Sequence, residues 1–391
     1  MNLELTPEQL ALRESVRRRL KSVADQDSTA DARRRDPLAG LDLAGLLIPE
    51  KCGGAGASMV DAGVVLEEIG RALDPGPWPS SSVAVSRVIA RSGVTGSATG
   101  LLTGIADGSM IATLGLPGPT EPVVRAASTT NESPGPAASS ADRILSDDEM
   151  VGATRLPPAV AGRVRLDGRI AEIPDADIAQ VLLVVARDGS GLGLYMVEIP
   201  SAGVEFEPLP GVDRSRQRFR ATLRDAPARR LGEMSAESLS AATDDILIAT
   251  AADALGAAQA LFDLAVEYAR TRQQFGRPIA AFQAVQHLCV DMYETIELTR
   301  GGVLYGLWAA DSAAPTERHL AAIRLKAFSG HLATMGETAI QVFGGIGYTW
   351  EHRAHGYLER LLDWSALLGS PDRYLQEIGG ELADTIEPTR T

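Results

Sequence analysis

The sequence predicts an α+β protein made of three consecutive blocks, which are helical, strand-rich and helical in that order. Residues 1–110 and 233–391 carry apolar side chains at the spacing of amphipathic helices. Residues 111–232 instead carry short runs of alternating apolar and polar residues, separated by glycine-containing turns. Because helices and strands do not alternate, we expect an N-terminal helical domain, a middle β-barrel-like domain and a C-terminal four-helix bundle.

The composition indicates a globular protein with an acidic surface. Among 391 residues, 45% are hydrophobic and 23% are charged, and the formal net charge is -14. This acidity argues against nucleic acid and anionic membrane as partners. Two cysteines are too few for a disulfide framework, and we find no apolar leader or long apolar run, so we expect a cytoplasmic protein. The five histidines show no metal-ligand spacing, and no metal site is predicted.

Two capping signals mark helices in the first block. Thr6-Pro7-Glu8-Gln9 combines an N-cap, a proline at the first helical position and a glutamine that completes a capping box. Ser58-Met-Val-Asp61 caps a second predicted helix, from Val60 to Leu73. The glycine-rich stretch that ends at Gly56 follows no strand, so it does not indicate a dinucleotide-binding fold.

Strand signals dominate the middle block. Residues 163–170 alternate around an Asp-Gly pair, which predicts a hairpin. The runs 181–186 and 192–199 flank an Asp-Gly-Ser-Gly turn and predict antiparallel strands. Residues 128–148 are rich in serine, alanine and proline, and they predict an irregular loop.

Four long helices are predicted in the last block, at residues 238–272, 279–311, 316–343 and 351–368. The loops between them are short, which favours an antiparallel bundle. An Arg-Gln-Gln-Phe-Gly-Arg-Pro segment separates the first two helices, and its Gly-x-Pro combination ends one helix and begins the next.

The corner between these two helices carries groups that suit a nucleotide. A planar guanidinium can clamp a phosphate, and the two neighbouring amides can reach a sugar or a base. An ordinary helix–helix corner with a solvated arginine explains the same residues. The physical properties of the segment leave both interpretations open.

The stretch from Tyr268 to His287 resembles the flavin-binding signature of the acyl-CoA dehydrogenase family, and other landmarks of that family occur in order along nearly the whole chain. Residues 46–58 and 65–71 resemble its helical domain, and Thr120-Glu-Pro122 resembles the stretch that lines its flavin and acyl site. Gln341-Val-Phe-Gly-Gly-Ile-Gly-Tyr348 is similar to its second flavin-contacting motif. The resemblance implies an FAD-dependent dehydrogenase of acyl-CoA thioesters with an electron-transfer flavoprotein as partner.

The resemblance also implies which residues contact FAD, which family members bind across a subunit interface. These residues are Arg272, Phe275, Gln283, Gln341, Gly344 and Gly345. The arginine would pair with the pyrophosphate, the phenylalanine would pack against the adenosine half, and Gln283 would hydrogen-bond it. The second glutamine and the glycine backbone would cover the ADP moiety, because glycine permits a close approach. A simple turn at a helix end is the alternative interpretation of the glycines.

The position of the family's catalytic base departs from the usual pattern. In the family, a glutamate removes the α-proton of the acyl group while the β-hydride passes to the flavin. That glutamate immediately precedes a Gly-Thr pair, which a Gly-Ser pair matches here, so Leu368 occupies the base position. Some relatives carry the base on the first bundle helix, at a position that corresponds to Ile246. Asp245 is adjacent but lies about 100° around the helix, and Asp253 fits a packing or hydrogen-bonding role better, so the catalytic residue stays unassigned.

The middle block departs from the family as well. Thr120-Glu-Pro122 is not followed by the usual Gly-Ser pair, and residues 169–174 lack the tryptophan of the strand that lies against the flavin ring. The motifs that would contact a neighbour's flavin are thus present, whereas those that would contact the chain's own flavin have lost their characteristic residues. The chain therefore resembles the base-lacking subunit of actinobacterial heteromeric (α2β2) acyl-CoA dehydrogenases, which act on bulky acyl groups that include steroid side chains.

Three alternatives to this heteromeric subunit stay open. One is a self-sufficient homotetramer that uses Asp245 as an unusual base. Another is a flavin-free structural or binding homologue. The presence of Arg272, Gln283 and Gln341 argues against it. The third is an offshoot of the family that performs oxygen-dependent hydroxylation. The sequence does not identify the acyl group of the substrate, which is either fatty or steroid-derived.

Overall fold

The computed structural model describes residues 4–26, 38, 40–94, 96–116, 151–155, 163–189, 191–349 and 352–386, and within them it confirms the predicted fold class. Helices form the first and last parts of the chain, and a curled sheet lies between them. The Thr120-Glu-Pro122 motif and the predicted loop at 128–148 lie outside the described residues.

The described part of the N-terminal domain is built from short and long helices. They are α1 (Pro7–Gln26), a 3-10 turn (Glu50–Cys52), α2 (Met59–Ala72), a π-helical segment (Pro79–Val85) that runs into α3 (Ser86–Ser92), a 3-10 turn (Gly96–Ala98) and α4 (Thr99–Ala106). The predicted capping box at Thr6 and the predicted cap at Ser58 are both present, and the Ser58 cap is also a capping box. The Thr6 amide donates to the Gln9 side chain at 3.0 Å, and the Ser58 amide donates to Asp61 Oδ2 at 2.9 Å.

The middle sheet is mixed and closes on itself. Its strands are β1 (Ala112–Gly115), β2 (Val151–Arg155), β3 (Arg163–Pro174), β4 (Val181–Asp188), β5 (Gly191–Glu198), β6 (Val204–Leu209) and β7 (Arg218–Glu233). Neighbouring strands follow the order β1-β4-β2-β3-β7-β5, β6 pairs with β7, and β5 pairs back onto β4. Strands β1 and β2 run parallel to β4, and the other described pairs are antiparallel. The closure encloses a core that contains Leu166, Leu182 and Val197.

One predicted hairpin is wrong. Residues 163–170 belong to the single strand β3, and its pairing with β7 shifts between Leu166 and Gly168. Asp225 on β7 is the additional residue at this bulge, and its amide donates to Asp167 Oδ1 at 2.8 Å. The aspartate of the Asp-Gly pair thus satisfies an amide that a bulge leaves unpaired, and the strand continues instead of turning. The predicted pairing of the 181–186 and 192–199 strands is confirmed.

The C-terminal domain contains the predicted long helices and one further helix. They are α5 (Ala236–Thr271), α6 (Gln283–Ser312), α7 (Pro315–Phe343), α8 (Ala354–Ala366) and the additional α9 (Pro371–Ile386). A small hairpin, β8 (Gln273–Gln274) with β9 (Arg277–Pro278), joins α5 to α6, and a 3-10 turn (Gly344–Tyr348) follows α7. Helix α5 is long and apolar enough to cross a membrane, but 78% of its most apolar window is buried inside the fold.

Two glycines hold α2 close against α5. A Cβ atom on Gly70 would lie 1.8 Å from the carbonyl oxygen of Asp253, and one on Gly256 would lie 1.8 Å from that of Glu67. Any side chain at either position would therefore force the two helices apart. This contact fixes the N-terminal domain to the part of α5 that contains Asp253.

Candidate functional site

A cavity of about 570 Å³ lies where the three domains meet. The N-terminal domain, the sheet, helix α5 and the segment from α8 to α9 all contribute to its wall, which is largely apolar. Its charged lining residues are Glu172, Asp175, Arg216, Arg218, Asp253, Arg360, Asp363 and Arg373. A mostly apolar cavity with a few convergent polar groups is the usual form of a small-molecule site.

Both positions at which the resemblance places a catalytic base line this cavity, and both are apolar. Leu368 follows the end of α8, and Ile246 lies on α5. Leu368 has a φ of 54°, and the Tyr374 hydroxyl donates to its carbonyl oxygen at 2.8 Å. Neither aliphatic side chain can accept a proton, so the structure offers no base at either position.

A buried lysine caps the helix that leads to Leu368. Lys326 on α7 donates its ammonium group to the carbonyl oxygens of Trp364 and Ser365, and its Nζ lies 4.5 Å from the Trp364 ring centroid. Carbonyl groups in the last turn of a helix have no partner within the helix, so the lysine satisfies them. Burial lowers the pKa of Lys326 to about 7, although Asp363 acts in the opposite direction. The cap fixes the loop that presents Leu368 to the cavity.

The structure corrects the interpretation of Asp245 as a base. Its side chain is fully buried and accepts hydrogen bonds from Arg87 Nε and Arg91 Nε, each at 2.8 Å. Both arginines also donate to the carbonyl oxygen of Ala310, so this cluster joins α3 to α5 and α6. Among the described residues, Ile246 lines the cavity and Asp245 does not. Adjacent residues of a helix point about 100° apart, which separates the two side chains.

Ion pairs connect the sheet to the bundle at the cavity wall. Arg218 on β7 contacts Glu172 on β3 and Asp363 on α8. Burial raises the pKa of Asp363, although Arg218 acts to lower it. Arg216 donates to Asp253 Oδ2 at 2.6 Å, so Asp253 is a hydrogen-bonded residue of the wall. These contacts place fixed charges beside β3, the strand against which the family's flavin ring lies according to the resemblance.

A buried arginine of this wall was not identified from the sequence. Arg360 on α8 is 3% exposed and contacts Asp213, Asp253 Oδ1 at 2.9 Å and Ser215 Oγ at 2.5 Å. Burial acts to raise the pKa of Asp213, but Arg360 and Ser215 outweigh it and lower that pKa. Burial raises the pKa of the nearby Asp74 to about 7, although the Gly76 amide donates to it.

The sequence contained a signal that Arg360 is buried and paired. Arg360 lies in an apolar stripe of α8, three residues after Tyr357 and four before Trp364, and both aromatic residues are buried. An arginine at such a helical position must be paired inside the fold, because an isolated buried charge is costly. Its partner Asp213 is 147 residues away in the chain, so the pattern could not identify the pair.

The six residues implied to contact FAD lie outside the cavity, on the turns that follow α5 and α7 and on the helix ends beside them, at one end of the bundle. They are Arg272, Phe275, Gln283, Gln341, Gly344 and Gly345, and all six are exposed. The end of α5 and the end of α7 meet there, since the rings of Tyr268 and Phe343 lie 5.2 Å apart. Phe275 is 91% exposed and Tyr348 is 74% exposed. The structure therefore brings the two motifs together on the surface, where a second chain can meet them.

The geometry of these loops fits a nucleotide held by a neighbouring chain. Gly344 has φ 63° and ψ -141°, a conformation essentially restricted to glycine. A Cβ atom on Gly345 would meet nothing within 4 Å, so nothing described in the chain itself requires glycine there, whereas a closely approaching ligand would. The exposed guanidinium of Arg272 and the two glutamine amides are donors that suit the pyrophosphate and adenosine of FAD.

Comparisons with known proteins agree with this geometry. Two family models match the chain: acyl-CoA dehydrogenase, N-terminal domain, over residues 6–109, and acyl-CoA dehydrogenase, C-terminal domain, over residues 247–369. Acyl-CoA dehydrogenase IpdE2 of Mycobacterium tuberculosis is 31% identical over 346 residues, which cover 87% of this chain and 83% of the relative. Acyl-CoA dehydrogenase FadE34 of the same species is 31% identical over 96% of this chain, but the chain spans only 48% of that relative.

Solved structures share the fold over almost the whole chain. A variant of the Tcur3481-Tcur3483 steroid ACAD matches with a TM-score of 0.79 and 26% identity, covering 97% of this chain and 99% of that one. The ChsE4-ChsE5 complex from Mycobacterium tuberculosis matches with a TM-score of 0.80 over 98% of this chain and 99% of that one, and its 22% identity shows the fold alone.

These matches confirm the family that the motifs indicated, which is a family of oxidoreductases. PigA, a solved structure with bound FAD, shares the fold at 20% identity. The shared fold has helical domains at both ends and a curled sheet between them, as this chain does. The chain belongs to the acyl-CoA dehydrogenase family.

Proposed function

We propose that the chain is one subunit of a heteromeric, FAD-dependent acyl-CoA dehydrogenase that performs α,β-dehydrogenation of an acyl-CoA thioester. One observation carries this proposal: both positions at which the family places its base face the cavity, and they hold Leu368 and Ile246. Removal of an α-proton needs a positioned base, which is worth roughly 10²–10⁴-fold in rate. An unlike partner subunit therefore supplies the base.

In this proposal the residues of the chain bind and orient, and they do not move the α-proton. When bound, FAD supplies the acceptor for the β-hydride of the substrate. Arg272 would hold the pyrophosphate and Gln341 the ADP moiety of a flavin that lies mainly in the partner. The electrons would then pass to an electron-transfer flavoprotein. A cytoplasmic location remains our expectation.

The charged wall of the chain's own cavity supports a partner-held flavin. Arg218 is engaged by Glu172 and Asp363, and Arg216 by Asp253, all beside strand β3. A flavin ring placed against β3 would remove further water from these partly buried pairs, and removing charges from water costs free energy. The family's apolar tryptophan at this strand is absent as well.

The exposed end of the bundle supports contact with a second chain. Large apolar side chains that are at least 44% exposed cluster in sequence around the two flavin motifs: Phe275, Val290, Tyr293, Ile346 and Tyr348. Exposed apolar surface of this kind marks protein interfaces. The matched steroid ACAD, Tcur3481-Tcur3483, and the ChsE4-ChsE5 complex are each named as a pair of proteins. We therefore favour an α2β2 assembly that acts on a bulky acyl group, over a homotetramer.

A second candidate, a self-sufficient homotetramer, is favoured by one observation. Asp363 lines the cavity and its pKa is raised by burial, which is a property of catalytic bases. Its contact with Arg218 opposes this role, because the ion pair stabilises the charged carboxylate. An Asp363→Asn variant of an active homomer would distinguish this candidate, since it would lose activity.

Replacement of Arg272 tests the flavin assignment. Loss of a charge-assisted hydrogen bond costs roughly 1.5–3 kcal/mol, so Arg272→Ala should weaken FAD binding by the assembled complex roughly tenfold to hundredfold. The matched control is Arg270→Ala, which removes another exposed arginine, from the last turn of α5. The measurement is flavin absorbance per complex after gel filtration. Full retention of flavin by the Arg272 variant, or equal loss in both variants, would contradict the assignment.

A further inference from the structure

A short segment between helices α8 and α9 forms part of the mouth of the cavity. We call residues 366–370 the strap, and all of them line the cavity. Ala366 and Ser370, at the two ends of the strap, are exposed to solvent, whereas Trp364 just before it is 2% exposed. The strap therefore lies at the boundary between the interior of the cavity and solvent.

The backbone of the strap is strained at its centre. Leu368 has a φ of 54°, in the left-handed region that bulky side chains rarely adopt. Among the described residues, Leu73 is the other leucine with a positive φ, and it does not line the cavity. Strained backbone persists only where surrounding contacts hold it, and it is concentrated at ligand clamps and switch segments. The strap is thus held in a conformation that its own sequence does not favour.

One side chain holds the strained residue in place. The Tyr374 hydroxyl donates to the carbonyl oxygen of Leu368 at 2.8 Å, and the tyrosine is 6% exposed. In the described part of the chain, this hydroxyl is the only side-chain group that donates to the backbone of the strap. The net contribution of one hydrogen bond is similar in size to the cost of one left-handed residue. The present conformation of the strap and a relaxed one are therefore close in free energy.

The helices on both sides of the strap are fixed independently of it. Lys326 caps the end of α8 by donating to the carbonyl oxygens of Trp364 and Ser365. On α9, the Oε1 atom of Glu377 lies 3.0 Å from Nε2 of His319, a residue of α7. A change of conformation between these two anchors is consequently confined to the strap.

We propose that the strap is a latch at the mouth of the cavity. It opens when Leu368 leaves the left-handed conformation and its bond to the Tyr374 hydroxyl breaks, while α8 and α9 stay in place. Opening relieves the backbone strain and widens the mouth, and closure narrows the mouth around a ligand. The proposal does not rest on the proposed dehydrogenase function, because it uses no flavin contact and no catalytic base.

Hydrogen–deuterium exchange of the purified full chain tests the latch. Tyr374→Phe keeps the ring and removes the hydroxyl, so amides of the strap should exchange about two- to tenfold faster, with unchanged protection of α8 and α9. The matched control is Tyr357→Phe, because the Tyr357 hydroxyl also donates to a backbone carbonyl at 2.8 Å, that of Arg71, and the residue is 3% exposed. Unchanged exchange of the strap in Tyr374→Phe, or an equal increase throughout α9, would overturn the proposal.

A second pair of variants tests the backbone strain. Asparagine adopts the left-handed conformation at a lower cost than leucine, so Leu368→Asn should slow exchange of the strap by about fivefold. Leu367 also lines the cavity but has an ordinary φ of -57°. Leu367→Asn should therefore not slow the exchange. Equal slowing in both variants, or none in Leu368→Asn, would contradict the role of the strain.

The passage of a ligand is measured with a cysteine placed inside the cavity. Thr250 lines the cavity from α5, and Thr250→Cys is made together with Cys289→Ser, which removes the partly exposed native thiol. We expect Tyr374→Phe to speed labelling by the bulky pyrenyl maleimide about two- to tenfold, and labelling by the small N-ethylmaleimide to change less. Tyr357→Phe should change neither rate. An unchanged rate with the bulky reagent, or equal acceleration of both reagents, would refute the latch.

Discussion

Replacement of Arg360 by methionine should destabilise the protein strongly. The guanidinium is 3% exposed and contacts Asp213 and Asp253, whose side chains are each 1% exposed. Methionine fills a similar volume but leaves both carboxylates short of a partner inside the fold. Arg216 still donates to Asp253, and Ser215 still donates to Asp213, so each buried carboxylate keeps one hydrogen-bond donor.

The magnitude follows from this burial. Breaking a buried ion pair by removing one partner costs about 3–5 kcal/mol, and the surviving contacts place the expected loss near the lower end, at about 3 kcal/mol. The free energy of unfolding of a typical protein is only about 5–15 kcal/mol. The variant should therefore melt several degrees below the wild type, with a lower urea midpoint.

The control is an arginine–glutamate ion pair on the surface. Arg220 lies on strand β7 and contacts Glu207 at 3.5 Å, with side chains 38% and 69% exposed. Arg220→Met should cost less than about 1 kcal/mol. Urea unfolding followed by circular dichroism measures both variants. A loss below about 1 kcal/mol for Arg360→Met, or an equal loss for Arg220→Met, would refute the view that this network holds the three domains together.

Three further predictions concern the cavity and its support. Burial raises the pKa of Asp74 from 3.8 to about 7. Between these values the folded state binds more protons than the unfolded state, so stability falls as pH rises from about 4 to about 7. In urea unfolding, Asp74→Asn should therefore be more stable than the wild type at pH 8 but not at pH 4. Burial lowers the pKa of Lys326 from 10.5 to about 7. Between pH 7 and 10.5 the unfolded state therefore binds more protons, and stability rises with pH. Lys326→Met should flatten this rise, and an unchanged slope of stability against pH would contradict the assigned burial cost. Leu368→Glu should give the lone chain no dehydrogenase activity in a dye-reduction assay, because the Arg218–Asp363 contact still occupies the wall beside β3, and measurable turnover would contradict that reasoning.

Local signals predicted the helices and most of the strands, because capping and periodicity act within a few residues. The capping boxes at Thr6 and Ser58 illustrate this, since each depends on two side chains that are three positions apart. Helix α9 was missed, although Pro371 directly after Ser370 is a usual helix start. The Asp167-Gly168 pair was misinterpreted because the same dipeptide serves a turn or a bulge, and the partner strand decides between them.

Long-range contacts explain what the sequence could not predict about the site. The apolar Leu368 and Ile246 were identified from motif spacing, and the structure added that both face one cavity. Asp245 differs from Ile246 by one position, yet its side chain points into an arginine cluster that α3 supplies from more than 150 residues away. No local pattern specifies such a partner, so the fate of a buried carboxylate depends on the tertiary fold.

The central claim is that the chain completes a flavin site in an unlike subunit and supplies no base. The most direct test measures FAD content and anaerobic flavin bleaching by short-chain, long-chain and steroid-derived CoA thioesters, for the chain alone and for the chain co-expressed with an acyl-CoA dehydrogenase-like protein encoded beside it. We predict that the chain alone holds no stoichiometric FAD and bleaches none, and that the pair gains both properties. Stoichiometric FAD and robust bleaching in the lone chain would contradict the claim.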